Sequence, residues 1–337
     1  MKPSLNDFNR GFLQTVLDGL WTQWSALGVP GHAGRVPRAA IDPEALLLLT
    51  CSLGRYDARM FDEMLGWIVL HERLLDVQRL KNLLRDEGYA GGCVVSAIGA
   101  YLSAAKRGGV KWQRLSAVHA GKTWQPEPLF YSLDGGSISV IREPDLDFAR
   151  QGLHREKIAL RDHAQPFNPD QPVNLRLKLR ALFGVNSRAE TVTFLLLHDQ
   201  AGTTEIARAT GYFKLTVYNT LAEIRLSGLL QSWEAGGENL HRLKGKFWDA
   251  FPRADWVNWA VLFRFYERVW QTLADAARRQ MTAPSLAIEL HQLEQHIVPL
   301  MRRAGLVAEF PRPTADEMEA YVEHFLVELK KLLDPLG

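Results

Sequence analysis

Cysteine is nearly absent: Cys51 and Cys93 are the only ones in 337 residues. They have no CxxC spacing, so neither a zinc knuckle nor a disulfide framework is expected. Buried free thiols in a reducing cytosol are the expectation instead. An excess of charge is lacking too, since 40 Lys and Arg stand against 38 Asp and Glu, for a net +2. So balanced a chain does not attract nucleic acid through its overall field, and any DNA contact must come from a local patch. Long apolar runs are missing, all far short of the ~20 residues that span a bilayer. Met1 to Arg10 is polar and no apolar stretch follows it. No membrane partner is expected, and the expected compartment is the cytoplasm.

The signatures of catalysis are missing as well. Of the 10 histidines, His71 precedes Glu72 without the second His of HExxH, and His291 and His296 are spaced onto different helix faces. His154 and His163 have no acidic companions at ligand spacing. Gly91-Gly92 lacks the Lys-Ser/Thr of a phosphate loop, and no GxSxG elbow or GxGxxG turn occurs. No enzyme activity, metal or cofactor is therefore expected.

What is present is a globular composition, 47% apolar and 23% charged, in a chain long enough for more than one core. The pattern is mainly α, in four parts. Residues 1–107 read as an N-terminal helical bundle, with helices over 5–27, 43–53, 57–70, 76–86 and 93–107. Asp42-Pro43-Glu44 is a capped start for the second of these. Residues 57–85 faintly echo a helix-turn-helix, with Arg73, Gln78, Arg79, Lys81 and Arg85 on it; a plain bundle with a solvated basic face is the simpler reading. Residues 108–173 are a proline-rich connector with a hairpin expected over Leu129–Val140, across Asp134-Gly135-Gly136. Residues 251–337 return to helix, and a stripe from Trp256 to Leu273 predicts either a separate bundle or a dimerisation surface.

The most informative run is Ser187 to Lys246, within the part spanning 174–250. Ser187 is placed as an N-cap with Glu190 at capping-box spacing, and Ala201-Gly202 closes that helix. A short helix follows from Thr203, its expected cap, to Thr210. Ala207 is the small residue at a helix crossing, and Gly211 sits where the turn needs positive φ. A third helix runs from about Lys214 to Ser227, with Val217, Leu221, Ile224 and Leu226 as its apolar stripe. Lys214, Thr216, Tyr218, Asn219 and Thr220 are left facing outward. Gly228 ends the helix, and the period then changes to two over a hairpin turning at Glu234–Glu238.

The segments IARATGY and LTVYNTLAEIRLSGLL resemble the winged helix-turn-helix transcriptional regulators of the MarR and ArsR type, over about sixty residues. The resemblance implies that Lys214, Thr216, Tyr218, Asn219 and Thr220 contact bases in a major groove, with Arg242 and the wing on the backbone. It also implies a homodimer, joined by helices that flank the motif. Arg176, Lys178, Arg180 and Arg188 before the motif, and Arg242, Lys244 and Lys246 after it, form the candidate local basic patch. Two positions depart from the family: Phe213 stands where a capping Ser or Thr is usual, and the wing tip carries Glu234 and Glu238. The expected function is sequence-specific binding of double-stranded DNA. The alternative is an antitoxin-like interaction module whose helical parts clasp a partner protein. A small-molecule effector, held beside the tryptophan-rich helix, is the further partner to look for.

Overall fold

The structure, a computed structural model, describes residues 4–31, 36–104, 109–117, 125–132, 136, 141–312 and 317–333. The first helices begin at side chains that accept from the free amides of a first turn. Ser4 and Asp7 form a capping box on α1 (Leu5–Ala26). Asp42 caps α2 (Pro43–Ser52), Asp57 caps α3 (Ala58–His71) and Asp76 caps α4 (Val77–Asp86). The apolar α5 (Gly92–Ala104) is buried along most of its length.

The connector holds α6 (Val110–Ser116), β1 (Glu127–Pro128), α7 (Leu146–Ala149) and β2 (Leu153–His154), with β1 and β2 paired in parallel. The hairpin expected over Leu129–Val140 falls largely on 133–135 and 137–140, outside the described residues. Beyond β2 the chain lies against the N-terminal helices. Gln165 donates its amide to Gly28 at 2.9 Å. Gly28 has φ +106°, and a Cβ there would stand 2.4 Å from the Gln165 carbonyl oxygen, so this crossing requires glycine.

Next come α8 (Leu175–Phe183), α9 (Ser187–Leu196), β3 (Ala201–Gly202), α10 (Thr203–Thr210), α11 (Lys214–Leu226), β4 (Leu230–Ala235) and β5 (Glu238–Leu243). The strands form one antiparallel sheet in the order β3-β5-β4. Ala201-Gly202, expected to close a helix, is instead its short first strand. Leu175 to Phe251 share a small core of their own, built on Leu195, Ile206, Val217, Leu221 and Trp248.

The chain closes with α12 (Trp259–Arg278), α13 (Ala283–Ala304) and α14 (Met318–Lys331). From Trp259 on, the expected stripe is buried, but not in a bundle apart; Trp256 is half-buried and packs on the small core. Trp259, Phe263, Tyr266, Val269 and Leu273 belong to the same large core as α1 to α5. Trp259 donates its indole N–H to the Ala40 carbonyl at 2.8 Å. The helices α12 to α14 are thus corrected from a free-standing block to part of the same core as the N-terminal helices. The stripe of α12 is also removed from any dimer surface, because its partners are within the chain. No described helix is long and apolar enough to cross a membrane.

Candidate nucleic-acid interface

The apolar residues of α10 and α11 fix how these two helices cross. Ile206, Ala207, Val217, Leu221 and Ile224 are buried between them and α9. Gly211 adopts φ +76° and ends α10 in the left-handed region, as the turn demands. The hairpin between β4 and β5 turns on Gly236 and Gly237, both with positive φ, the pattern of a tight two-residue loop.

This crossing leaves Lys214, Thr216, Tyr218 and Asn219 exposed along one edge. Thr220 is not part of it. It is 5% exposed, and its hydroxyl lies 2.7 Å from that of Ser187. Helical geometry gives the reason: at about 100° per residue, Thr220 falls beside Val217 and Leu221 on the inner face. Leu226, expected in the apolar stripe, is 88% exposed. It lies about 180° round the helix from Val217.

The caps also differ from expectation. Asn186, not Ser187, caps α9 and accepts from the Arg188 amide at 2.9 Å. Thr203 does not cap α10; Gly202 holds that position, and the Thr203 hydroxyl meets His241 Nε2 at 3.1 Å. The other ring nitrogen of His241 lies 2.8 Å from Ser232 Oγ, so the imidazole ties both strands of the hairpin to α10. Burial holds its pKa below the ordinary 6.5, with Arg225 adding to the effect. Phe213 is the N-cap of α11 and supplies no side-chain acceptor.

The candidate basic patch is split by the fold. Arg242 and Lys244 are exposed on β5 and after it. Arg242 spans Trp233 at 5.5 Å and donates to the Asp199 carbonyl at 3.2 Å. Arg188 is paired with Glu223 of α11 at 2.5 Å, so its charge is already answered. Lys178 faces the connector, 3.8 Å from Asp170. Arg176 and Arg180, adjoining Lys178 in sequence, point the opposite way and are fully buried.

Those two arginines belong to an ion cluster that the linear pattern did not reveal. Arg180 reaches Glu44 with both terminal nitrogens at 2.7 Å and Glu190 with Nε at 2.7 Å. Arg79 of α4 reaches Asp42 and Glu44, each at 2.7 Å through Nη1. Arg176 also contacts Glu190. Burial pushes the Asp42 and Glu190 carboxyls up. The guanidiniums outweigh it and hold both below the ordinary carboxylate range, through Arg176 and Arg79 for Asp42, and Arg176 and Arg180 for Glu190. The expected Glu190 capping box therefore gives way to a charge partner in the interior. The sequence signal was the Arg176/Arg180 spacing, which puts both on one helix face; an acid to receive them was visible only in three dimensions.

The cluster abuts the turn that aims α11. Arg79 Nε donates to the Thr210 carbonyl at 2.7 Å, and Asn82 Nδ2 donates to the Gly211 carbonyl at 3.1 Å. The Tyr212 hydroxyl donates to Asp76, the cap of α4. Residues 57–85 thus lie against the turn through α4, and of their basic set Arg79 is buried whereas Arg73 and Arg85 are exposed. Among the described residues no group of His, Cys, Asp and Glu is arranged to hold a metal ion. No family model matches the chain, and neither does any curated protein or solved structure.

Proposed function

We propose that residues 187–246 form a winged helix-turn-helix and that the protein is a sequence-specific regulator of transcription. It binds double-stranded DNA with α11 in the major groove. The observation that carries this reading is the exposed edge of Lys214, Thr216, Tyr218 and Asn219, raised on a buried crossing at Ala207 and Val217. Asn pairs bidentately with adenine, and a Thr methyl packs on that of thymine. The uncapped first turn of α11 offers backbone amides to a phosphate. Arg242 and Lys244 flank the hairpin as backbone contacts. The protein acts as a homodimer, which sets two α11 helices about 34 Å apart, or a multiple of it, on a palindromic site. With α12 inside the core, the dimer contact falls to outer helices such as α13 and α14, where Ile288 and Val327 stay exposed.

The test is selection of bound duplexes from a random library, followed by anisotropy titration of the selected site. Asn219→Ala is expected to relax base preference at one position by ~1–3 kcal/mol, whereas Arg242→Ala weakens all sequences alike. A Thr216→Ala/Asn219→Ala variant that selects the same site with the same affinity removes α11 from the reading role.

One observation favours a second use of the same surface. Leu215, Asn219, Ala222 and Leu226 follow i, i+4, i+7, i+11 spacing on the outer face, and Leu215 is 70% exposed. That stripe suits docking of a partner protein, as in an antitoxin-like regulator, and the hairpin tip is acidic, with Glu234 and Glu238. Leu226 separates the readings. Leu226→Glu spares DNA affinity if only the N-terminal half of α11 enters the groove, and abolishes a stoichiometric protein complex if the stripe is the contact.

A further inference from the structure

The outermost face of α11 runs through Leu215, Asn219 and Ala222. At about 100° per residue the three fall within an arc of about 60°, opposite the buried Val217, Leu221 and Ile224. Leu215 and Asn219 are exposed and Ala222 is half-buried. Lys214 and Thr216 stand about 100° to either side of Leu215. The arc therefore holds an isobutyl group, an amide and a methyl group, and no cation. Bidentate pairing of Arg or Lys with guanine, the commonest specific contact in a major groove, has no donor on it.

The charges beside the arc indicate the partner. Lys214, Glu223 and Arg225 are the charged residues of α11, and all three are exposed. Glu223 is answered by Arg188 at 2.5 Å. Lys214 and Arg225 have no ion pair among the described residues, and they share one flank of the arc, about 20° apart. The face is thus apolar along its crest and cationic along one side. A polyanion that displays methyl groups complements it. An apolar protein groove would instead have to pair the Asn219 amide in the middle of the stripe.

We propose that α11 reads three successive A·T base pairs. Leu215 and Ala222 pack on thymine C5-methyl groups, and Asn219 pairs with adenine N6 and N7 between them. Residues three to four apart on a groove helix reach successive bases, which is the spacing of these three. Lys214 and Arg225 meet phosphates on one side. This inference rests on α11 being the reading helix. It makes Leu215 and Ala222 specificity-determining residues.

The test starts from duplexes that the full-length protein retains from a random library. Each thymine of the retained site is replaced in turn by deoxyuridine, which removes only the C5-methyl group, and affinity is read by anisotropy. Three adjacent A·T pairs are expected in each half-site. Deoxyuridine is expected to weaken binding by about fourfold at a contacted thymine, the effect of one methyl-sized group, and to be silent elsewhere. Leu215→Ala, at an exposed position, is expected to keep the wild-type melting temperature and to erase the deoxyuridine penalty at one thymine. A wild type that retains no duplex overturns the reading role of α11, and this inference with it. Retained sites that lack the A·T triplet, or that are indifferent to every deoxyuridine, overturn this inference alone. So does a full set of penalties surviving in Leu215→Ala, which assigns the methyl contacts to other residues. Loss of a stoichiometric protein complex in Leu215→Ala, with duplex affinity unchanged, gives the stripe to a partner protein and overturns it too.

Discussion

His241 joins three elements through its two ring nitrogens, and its burial disfavours the charged imidazolium. Its pKa is lowered in the folded chain, chiefly by burial. The unfolded chain therefore binds the proton more readily between the ordinary value of 6.5 and the lower folded value. The stabilisation is fully present above about pH 6.5 and is lost as pH falls below it. His71, also held below its ordinary value by burial, adds a loss of the same sign. Thermal melts are expected to shift downward from roughly pH 7.5 to 5.5, and His241→Gln to remove part of that shift. An identical pH response in the variant would assign the whole effect to other groups.

At the scale of elements, periodicity and capping chemistry carried the helix assignments well. The Asp42-Pro43 start, the Gly211 turn and the Gly236-Gly237 hairpin each have one cheap backbone solution, and each was legible in the sequence. The expectations that failed concern side chains with two plausible partners. Ser187, Thr203 and Glu190 all suit a cap, yet Thr220, His241 and the buried arginines take them instead. Arg176 and Arg180 read as solvated because nothing in the local sequence reports acids on α2 and α9. Leu226 shows the converse: as an apolar residue near a helix end it was assigned to the core, although its angle points away. Leu226→Glu is accordingly expected to change folding stability by no more than about 0.5 kcal/mol in urea titration, against ~2–5 kcal/mol for Leu221→Ala. A large loss from Leu226→Glu would mean that the outer face of α11 is covered within the chain.

At the scale of the molecule, the ion cluster joins the two cores. Asp42, Glu44 and Arg79 come from the large one, and Arg176, Arg180 and Glu190 from the segment that supports α11. Removing one partner of such a buried set leaves an uncompensated charge. Arg180→Ala is expected to cost about 3–5 kcal/mol, and Arg180→Met less than a truncation that also opens a cavity. The depressed carboxyls of Asp42 and Glu190 add an acid limit. Their contribution holds above the ordinary carboxylate range near 3.8 to 4.5 and is lost as pH falls through the lower folded values. Denaturant titrations of Arg180→Ala at neutral pH check the first point, and a wild-type pH series checks the second.

The carbonyls of Thr210 and Gly211, at the base of the exposed edge, are gripped by Arg79 and Asn82 from α4. An edge anchored to a neighbouring body has little freedom to pivot toward an imperfect groove. On the proposed function, adaptation would then fall to the duplex. Sites rich in supple TA or CA steps would be preferred at base pairs that no side chain touches.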